Sequence, residues 1–277
     1  MKNLHHLAGP VVVFGGPYSN FQATQAMLNE ADRLGIPPTN VICNGDLVAY
    51  CADPEDTVNL IKDWGINVVK GNCEESIGDQ ADDCGCGFTE DSLCSLLSAE
   101  WYNYSKTKIS KTNQIWMSRL PEMIKFNIGP TSFAVIHGGV QDISEFVFAS
   151  SATDQKCKDI SAMAVDCIIG GHCGIPFGHQ VKSGFWLNTG VIGMPANDGT
   201  RDGWYMLLQP DETGVVSSWH RLPFDATSAA ESMRLAGLGD SYRKALLTGL
   251  WPSMDILPHT EQSKRGEPLQ LPLLRLA

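Results

Sequence analysis

Four short loops constrain this chain more than anything else in it. Each follows an apolar run and pairs glycine with a metal-type side chain. They are Asn44-Gly45-Asp46, Gly71-Asn72-Cys73-Glu74, His137-Gly138-Gly139 and Gly170-Gly171-His172-Cys173-Gly174. Glycine lets the backbone turn sharply and brings short side chains toward a common centre. One Asp, one Asn and two His form a mixed oxygen and nitrogen set suited to a divalent transition ion such as Fe, Mn or Zn. One such loop says little, because Gly-Asp pairs are common. Four in series predict that Asp46, Asn72, His137 and His172 converge on one ion.

The segments between these loops read as strand-loop-helix units. Val11–Phe14 is an apolar strand, and Asn20 can cap a helix running to about Leu34, which Gly35 ends. Val41–Cys43 is a second strand. Asp53-Pro54 opens a helix with Pro at its first position and Glu55 and Asp56 in its first turn; Gly65 closes it before a strand at Ile66–Val69. Residues 73–122 break the rhythm with Cys73, Cys84, Cys86, Cys94 and an acidic stretch, and read as a cap insertion. Later strands are expected at Ile124–Ile128, Ser132–Ile136, Asp166–Ile169, Ser183–Leu187 and Trp204–Leu208, with Gly214–His220 pairing with the last. Helices are expected near Asp154–Ala164, Ala226–Ala236 and Ser241–Thr248. The chain thus divides into one domain over residues 1–250 and an extended C-terminal arm over 251–277. His5, His6 and His259 fall in expected mobile ends, and His179 on a surface strand.

Charge and apolar content narrow the function classes. A net charge of -11 argues against a nucleic-acid groove, which needs clustered Lys and Arg. No run reaches the roughly 18 apolar residues of a membrane span. The first apolar run leads straight into a motif, so it reads as a strand and not as a signal peptide. The expected location is cytoplasmic. Nine cysteines, an odd count, do not suggest a secreted disulfide framework, and Cys43 and Cys167 read as reduced core residues.

The order of the loops resembles the calcineurin-like metallophosphoesterases, whose motifs run DxHGN, GDxxxxG, GNHD/E, HG and GHxH. A bacterial branch with GDLVGYGxDP is similar to Gly45-Asp46-Leu47-Val48-Ala49-Tyr50-Cys51-Ala52-Asp53-Pro54. Its GHTHIPF resembles Gly171-His172-Cys173-Gly174-Ile175-Pro176-Phe177, and its NPGSVGQP turn resembles Asn188-Thr189-Gly190-Val191-Ile192-Gly193-Met194-Pro195. The similarity spans about residues 11–250. It implies an α/β fold, a β-sandwich flanked by helices in four layers, with two metals at the sheet edge that activate water against phosphorus. It also implies a small-molecule substrate of the phosphate-ester class.

The departures from that pattern are ordered. Where the family has Asp, His and the last His of GHxH, this chain has Gly16, Tyr18 and Gly174. All three positions serve the first metal alone. The positions of the second metal keep Asp46, Asn72, His137 and His172, which predicts a mononuclear site. Tyr18 stands where a ligand His stood and is expected to fill the vacated space, with phenolate ligation, to iron in particular, as the alternative. The proton-handling His of GNHD is Cys73 here, so Cys73 and His137 are the candidate catalytic residues. A thiol beside a cation ionises and can ligate. Cys73, Cys84 and Cys86 are therefore candidates for thiolate ligation, for a disulfide or redox role, or for plain packing. The leading expectation is a metal-dependent hydrolase of the phosphoesterase type; the alternative is a non-hydrolytic metal-binding or thiol-active protein on the same fold.

Overall fold

The computed structural model describes residues 1–89, 91–212 and 214–276. In chain order it contains β1 (Lys2–His6), β2 (Val11–Phe14), α1 (Phe21–Arg33), β3 (Val41–Cys43), α2 (Pro54–Trp64) and β4 (Asn67–Val68). Then come α3 (Asn72–Asp79), α4 (Leu93–Lys108), α5 (Lys111–Ser118), β5 (Ile124–Ile128), β6 (Thr131–Val135), α6 (Thr153–Met163), β7 (Cys167–Gly170), β8 (Phe177–Val181) and β9 (Gly184–Asn188). The chain closes with β10 (Gly203–Pro210), β11 (Val215–Leu222), α7 (Ala226–Leu235), α8 (Asp240–Thr248), α9 (His259–Gln262) and β12 (Leu274–Leu276).

Local chemistry explains the first units. The Asn20 side chain accepts from Ala23 N and starts α1, whose buried face is Ala23, Thr24, Met27 and Ala31. Pro54 occupies the first turn of α2, and Gly65 ends it in the left-handed region at φ 74°. β2 and β3 are buried along their whole length, as expected for parallel strands covered on both faces.

Among the described residues the strands form two six-stranded sheets, ordered β1-β5-β6-β7-β9-β8 and β12-β11-β10-β2-β3-β4. Their facing surfaces bury Val11, Val13, Ile42, Phe133, Val135 and Ile169 in one cluster. A second cluster packs Met27, Val58 and Met233, from α1, α2 and α7, against Val12 and Phe14 of β2. A third places Ile160 and Met163 of α6 against Ala134, Ile168 and Trp186 on the other sheet. The layers are therefore helix, sheet, sheet, helix, the calcineurin-like sandwich that the motif order implied.

Two expectations about the ends are corrected. His5 and His6 belong to β1, which pairs in parallel with β5. His259 begins the short α9, and Leu274–Leu276 pairs antiparallel with β11. His179 is also more than a surface residue: its Nδ1 lies 3.1 Å from Nζ of the buried Lys156.

Candidate metal centre

The four loops lie at the carboxyl ends of β3, β4, β6 and β7, the edge where strand ends of both sheets meet. Asp46 and His172 both adopt left-handed backbone, at φ 58° and 55°. Non-glycine residues seldom sit there, and they cluster at functional sites. Gly45, at φ 102°, has no room for a side chain: an added Cβ would stand 2.7 Å from Gly71 N and 2.9 Å from His137 Nδ1. The Asp46 and Gly71 loops can approach this closely only because of it.

The side chains converge on His137 Nε2. Asn72 Oδ1 lies 3.0 Å from it, His172 Nδ1 3.1 Å, and Asp46 Oδ2 3.3 Å. Asp46, His137 and His172 are all buried, with ligand atoms within 4.8 Å of one another. His137 Nδ1 donates to Asn44 O at 2.7 Å, which fixes the ring and turns the Nε2 lone pair inward. His172 Nε2 is buried with no hydrogen-bond partner among the described residues.

Glu74 braces this arrangement from behind. Its buried carboxylate accepts from Asp46 N at 2.7 Å, Leu47 N at 2.8 Å and Gly71 N at 2.9 Å, tying two ligand loops together. Asn44 Nδ2 donates to Gly170 O at 2.8 Å, and Asn188 Nδ2 to Gly171 O at 2.7 Å, which anchors the His172 loop. Neither Glu74, Asn44 nor Asn188 stood out as functional in the sequence. The signals for Glu74 were its place at the D/E position of GNHD/E and three residues after Gly71, where it caps α3.

The electrostatics follow from burial and crowding. Burial opposes both charges of the Asp46–His137 pair, but their mutual attraction outweighs it, lowering the Asp46 pKa and raising that of His137. Burial, then the charge of His137, pushes His172 down to about 4. Burial, then the charge of Asp46, pushes Glu74 up to about 7. These shifts describe buried carboxylates and imidazoles with no cation among them. A divalent ion would stabilise the ionised carboxylates and the neutral rings together.

The residues fit such an ion. Two donor atoms bound to one cation at about 2.0–2.2 Å lie about 2.8–3.6 Å apart, from octahedral to tetrahedral arrangements. The three separations at His137 Nε2 fall in that range. The carboxylate, amide oxygen and two imidazoles form a donor set for a divalent transition metal.

The other expected half of the site is aromatic. The Tyr18 ring covers Gly16, where an added Cβ would stand 2.7 Å from Tyr18 Cζ and 2.6 Å from Val191 Cγ1. Trp251 covers Gly174, its Cζ2 3.2 Å from the added Cβ. Tyr18 and Trp251 thus stand over the two glycines, Trp251 from outside the motifs.

The cysteines divide. Cys84 and Cys86 form a disulfide, so neither offers a thiolate in this state. Asn72 Nδ2 donates to Cys84 O at 2.9 Å and approaches Cys86 Sγ at 3.3 Å, which turns its Oδ1 toward His137. Cys73 is buried beside Asp46, its N 3.3 Å from Asp46 Oδ1. Burial, then the negative charges of Asp46 and Glu74, pushes its thiol well up. Cys73 does not line the cleft above the site, whereas Asp46 and His172 do.

With this geometry in hand, comparison with known proteins is informative. Residues 11–213 match the calcineurin-like phosphoesterase superfamily domain, and the chain belongs to that family. An uncharacterized protein of Methanocaldococcus jannaschii is 27% identical over 185 residues, 66% of this chain and 69% of that protein. A hypothetical protein of Pyrococcus horikoshii superposes with a TM-score of 0.74 at 16% identity, covering 87% of this chain and 99% of that one. A metallophosphoesterase from Sphaerobacter thermophilus gives 0.66 at 20% identity, covering 88% and 100%. These structures share the fold. No helix among the described residues is long and apolar enough to cross a membrane.

Proposed function

We propose that this protein is a mononuclear metal-dependent hydrolase of phosphate esters, of the branch whose GDLVGYGxDP and GHTHIPF patterns it resembles. The observation that carries the reading is the convergence of Asn72 Oδ1, His172 Nδ1 and Asp46 Oδ2 within 3.0–3.3 Å of His137 Nε2. Asp46, Asn72, His137 and His172 would hold one divalent ion of Fe, Mn or Zn. When bound, such an ion supplies Lewis acidity toward a phosphoryl oxygen and toward water.

The chain's own residues do the rest. His137 keeps its lone pair inward through the Asn44 carbonyl. Glu74 holds the Asp46 and Gly71 loops at fixed separation. Asp46 and His172 form the polar floor of the cleft, where an ester must lie. His172 lines the cleft as a neutral ring and would serve the ion as a ligand.

The test is hydrolysis of bis(4-nitrophenyl) phosphate against metal content, in the parent protein and in Asp46→Asn. Turnover should rise with bound ion and disappear in the variant. Turnover that ignores metal content would reject the proposal. Metal binding without turnover would favour the second reading, a non-hydrolytic metal-binding or thiol-active protein. The Cys84–Cys86 disulfide on the Asn72 amide gives that reading its support.

A further inference from the structure

The changes at the first-metal positions also build the wall of a cleft. The cleft above Asp46 and His172 is open at its mouth and has an inner cavity of about 60 Å³. Tyr18, Tyr50, Phe88, Phe146, Tyr242 and Trp251 line it, with Gly174 and Val191 between them.

The rings form a connected surface. Tyr18 meets Tyr50 edge-on at 4.8 Å, Tyr50 meets Tyr242 at 4.4 Å, and Phe146 lies 4.3 Å from the His172 ring. Phe88 and Phe146 are nearly parallel, with centroids 6.2 Å apart and planes at 17°. Phe88, Phe146, Tyr50 and Trp251 are only partly buried, so their free faces are available to a ligand.

Charge is as informative as shape. Among the described residues, no Lys or Arg lines the cleft and Asp46 is its one carboxylate. A divalent ion and Asp46 together leave one net positive charge facing the ligand. Glu74, behind Asp46, can only reduce it. A phosphodiester carries one negative charge and matches. A phosphomonoester dianion would leave a second charge uncompensated among aromatic rings, which is costly.

We infer that this cleft selects phosphodiester monoanions bearing an aromatic group, and discriminates against phosphomonoester dianions. The inference rests on the reading of the site as a phosphate-ester metal centre. Loss of the first metal is then a change of specificity: ligands that would hold a second cation give way to rings that hold a planar group.

The test is calorimetric titration of the metal-loaded protein with three ligands at about pH 8, where a monoester is dianionic. Diphenyl phosphate has the ring and one charge. Phenyl phosphate has the ring and two charges. Diethyl phosphate has one charge and no ring. Diphenyl phosphate should bind at least about tenfold more tightly than either of the others, the scale of one or two aromatic contacts. Phe88→Ala should weaken diphenyl phosphate about fivefold, leave diethyl phosphate unchanged and leave metal content unchanged. Equal or tighter binding of phenyl phosphate overturns the charge argument. Equal binding of diethyl phosphate overturns the ring argument, and no binding of any of the three overturns both. Hydrolysis is read separately. Selective binding with no turnover would uphold the cleft and sink the hydrolase proposal; turnover with unselective binding would do the reverse.

Discussion

On one side of the cleft floor, three polar atoms lie within 3.3 Å of His137 Nε2. Glu74, Asn44 and Asn188 hold them from behind through backbone hydrogen bonds. On the other side, the positions that by resemblance correspond to the first metal carry Gly16, Tyr18 and Gly174, and the Tyr18 and Trp251 rings stand over the two glycines. One half carries a candidate ligand set together with the buried network that orients it. The other carries small residues and aromatic rings. The second half thus forms an aromatic wall of the cleft, beside the polar first half.

The most severe way to break this comparison is to rebuild the lost half. In Gly16→Asp/Tyr18→His/Gly174→His, two new side chains enter at φ 50° and 72°, against Val191 and Trp251. We expect a loss of about 3–6 kcal/mol in stability, from left-handed strain and overpacking together. Urea unfolding measures it. A variant as stable as the parent that binds a second ion would show the two halves to be interchangeable.

A smaller change probes the network behind the retained half. Glu74→Gln keeps the shape but loses the charge and one of the two oxygens that accept from the backbone. It should cost about 1.5–3 kcal/mol in stability and about tenfold or more in metal affinity. Unchanged affinity would make Glu74 a fold residue only.

A pH series sharpens the electrostatics. In the metal-free protein His172 is held down at about 4, below its usual value. Its contribution to stability is thus fully present above pH about 6.5 and is lost as pH falls toward about 4. Glu74, raised to about 7, acts in the opposite sense: its contribution is present below about pH 4.5 and is lost as pH rises toward about 7. The total profile mixes both, so the difference between the parent and His172→Gln isolates the His172 part. Between about pH 7.5 and 4.5 the parent should lose on the order of 2 kcal/mol relative to the variant. A constant difference would remove His172 from the account.

The smallest effect belongs to the disulfide. In Cys84→Ser/Cys86→Ser the bond from Asn72 Nδ2 to the Cys84 carbonyl survives. Metal affinity should shift by less than about tenfold, within the worth of one weak hydrogen bond. A larger loss would mean that the disulfide positions Asn72.

The sequence made some of this legible and hid the rest for physical reasons. The strand-helix units of the first third were readable because caps and periodicity are local: Asn20, Pro54 and Gly65 sit at helix ends as their chemistry requires. The edge strands β1 and β12 were not, because short strands such as Lys2–His6 take their pairing from β5 and β11, far away in sequence. The cluster of Asp46, Asn72, His137 and His172 was readable because each stands in a contiguous glycine loop. Glu74 and Asn44 stood in those loops but reveal most of their work through contacts 27 to 126 residues away. The aromatic wall was hidden more completely: Phe88, Phe146, Tyr242 and Trp251 come from separate segments, and no spacing relates them.

The central claim is that one half of the site holds an ion and the other cannot. Element analysis of protein loaded with excess Mn, Fe or Zn and then desalted tests it most directly. The account predicts about one ion per chain, lost in His137→Ala, with binding weakened at least about 100-fold. Two ions per chain, or one that survives His137→Ala, would contradict it.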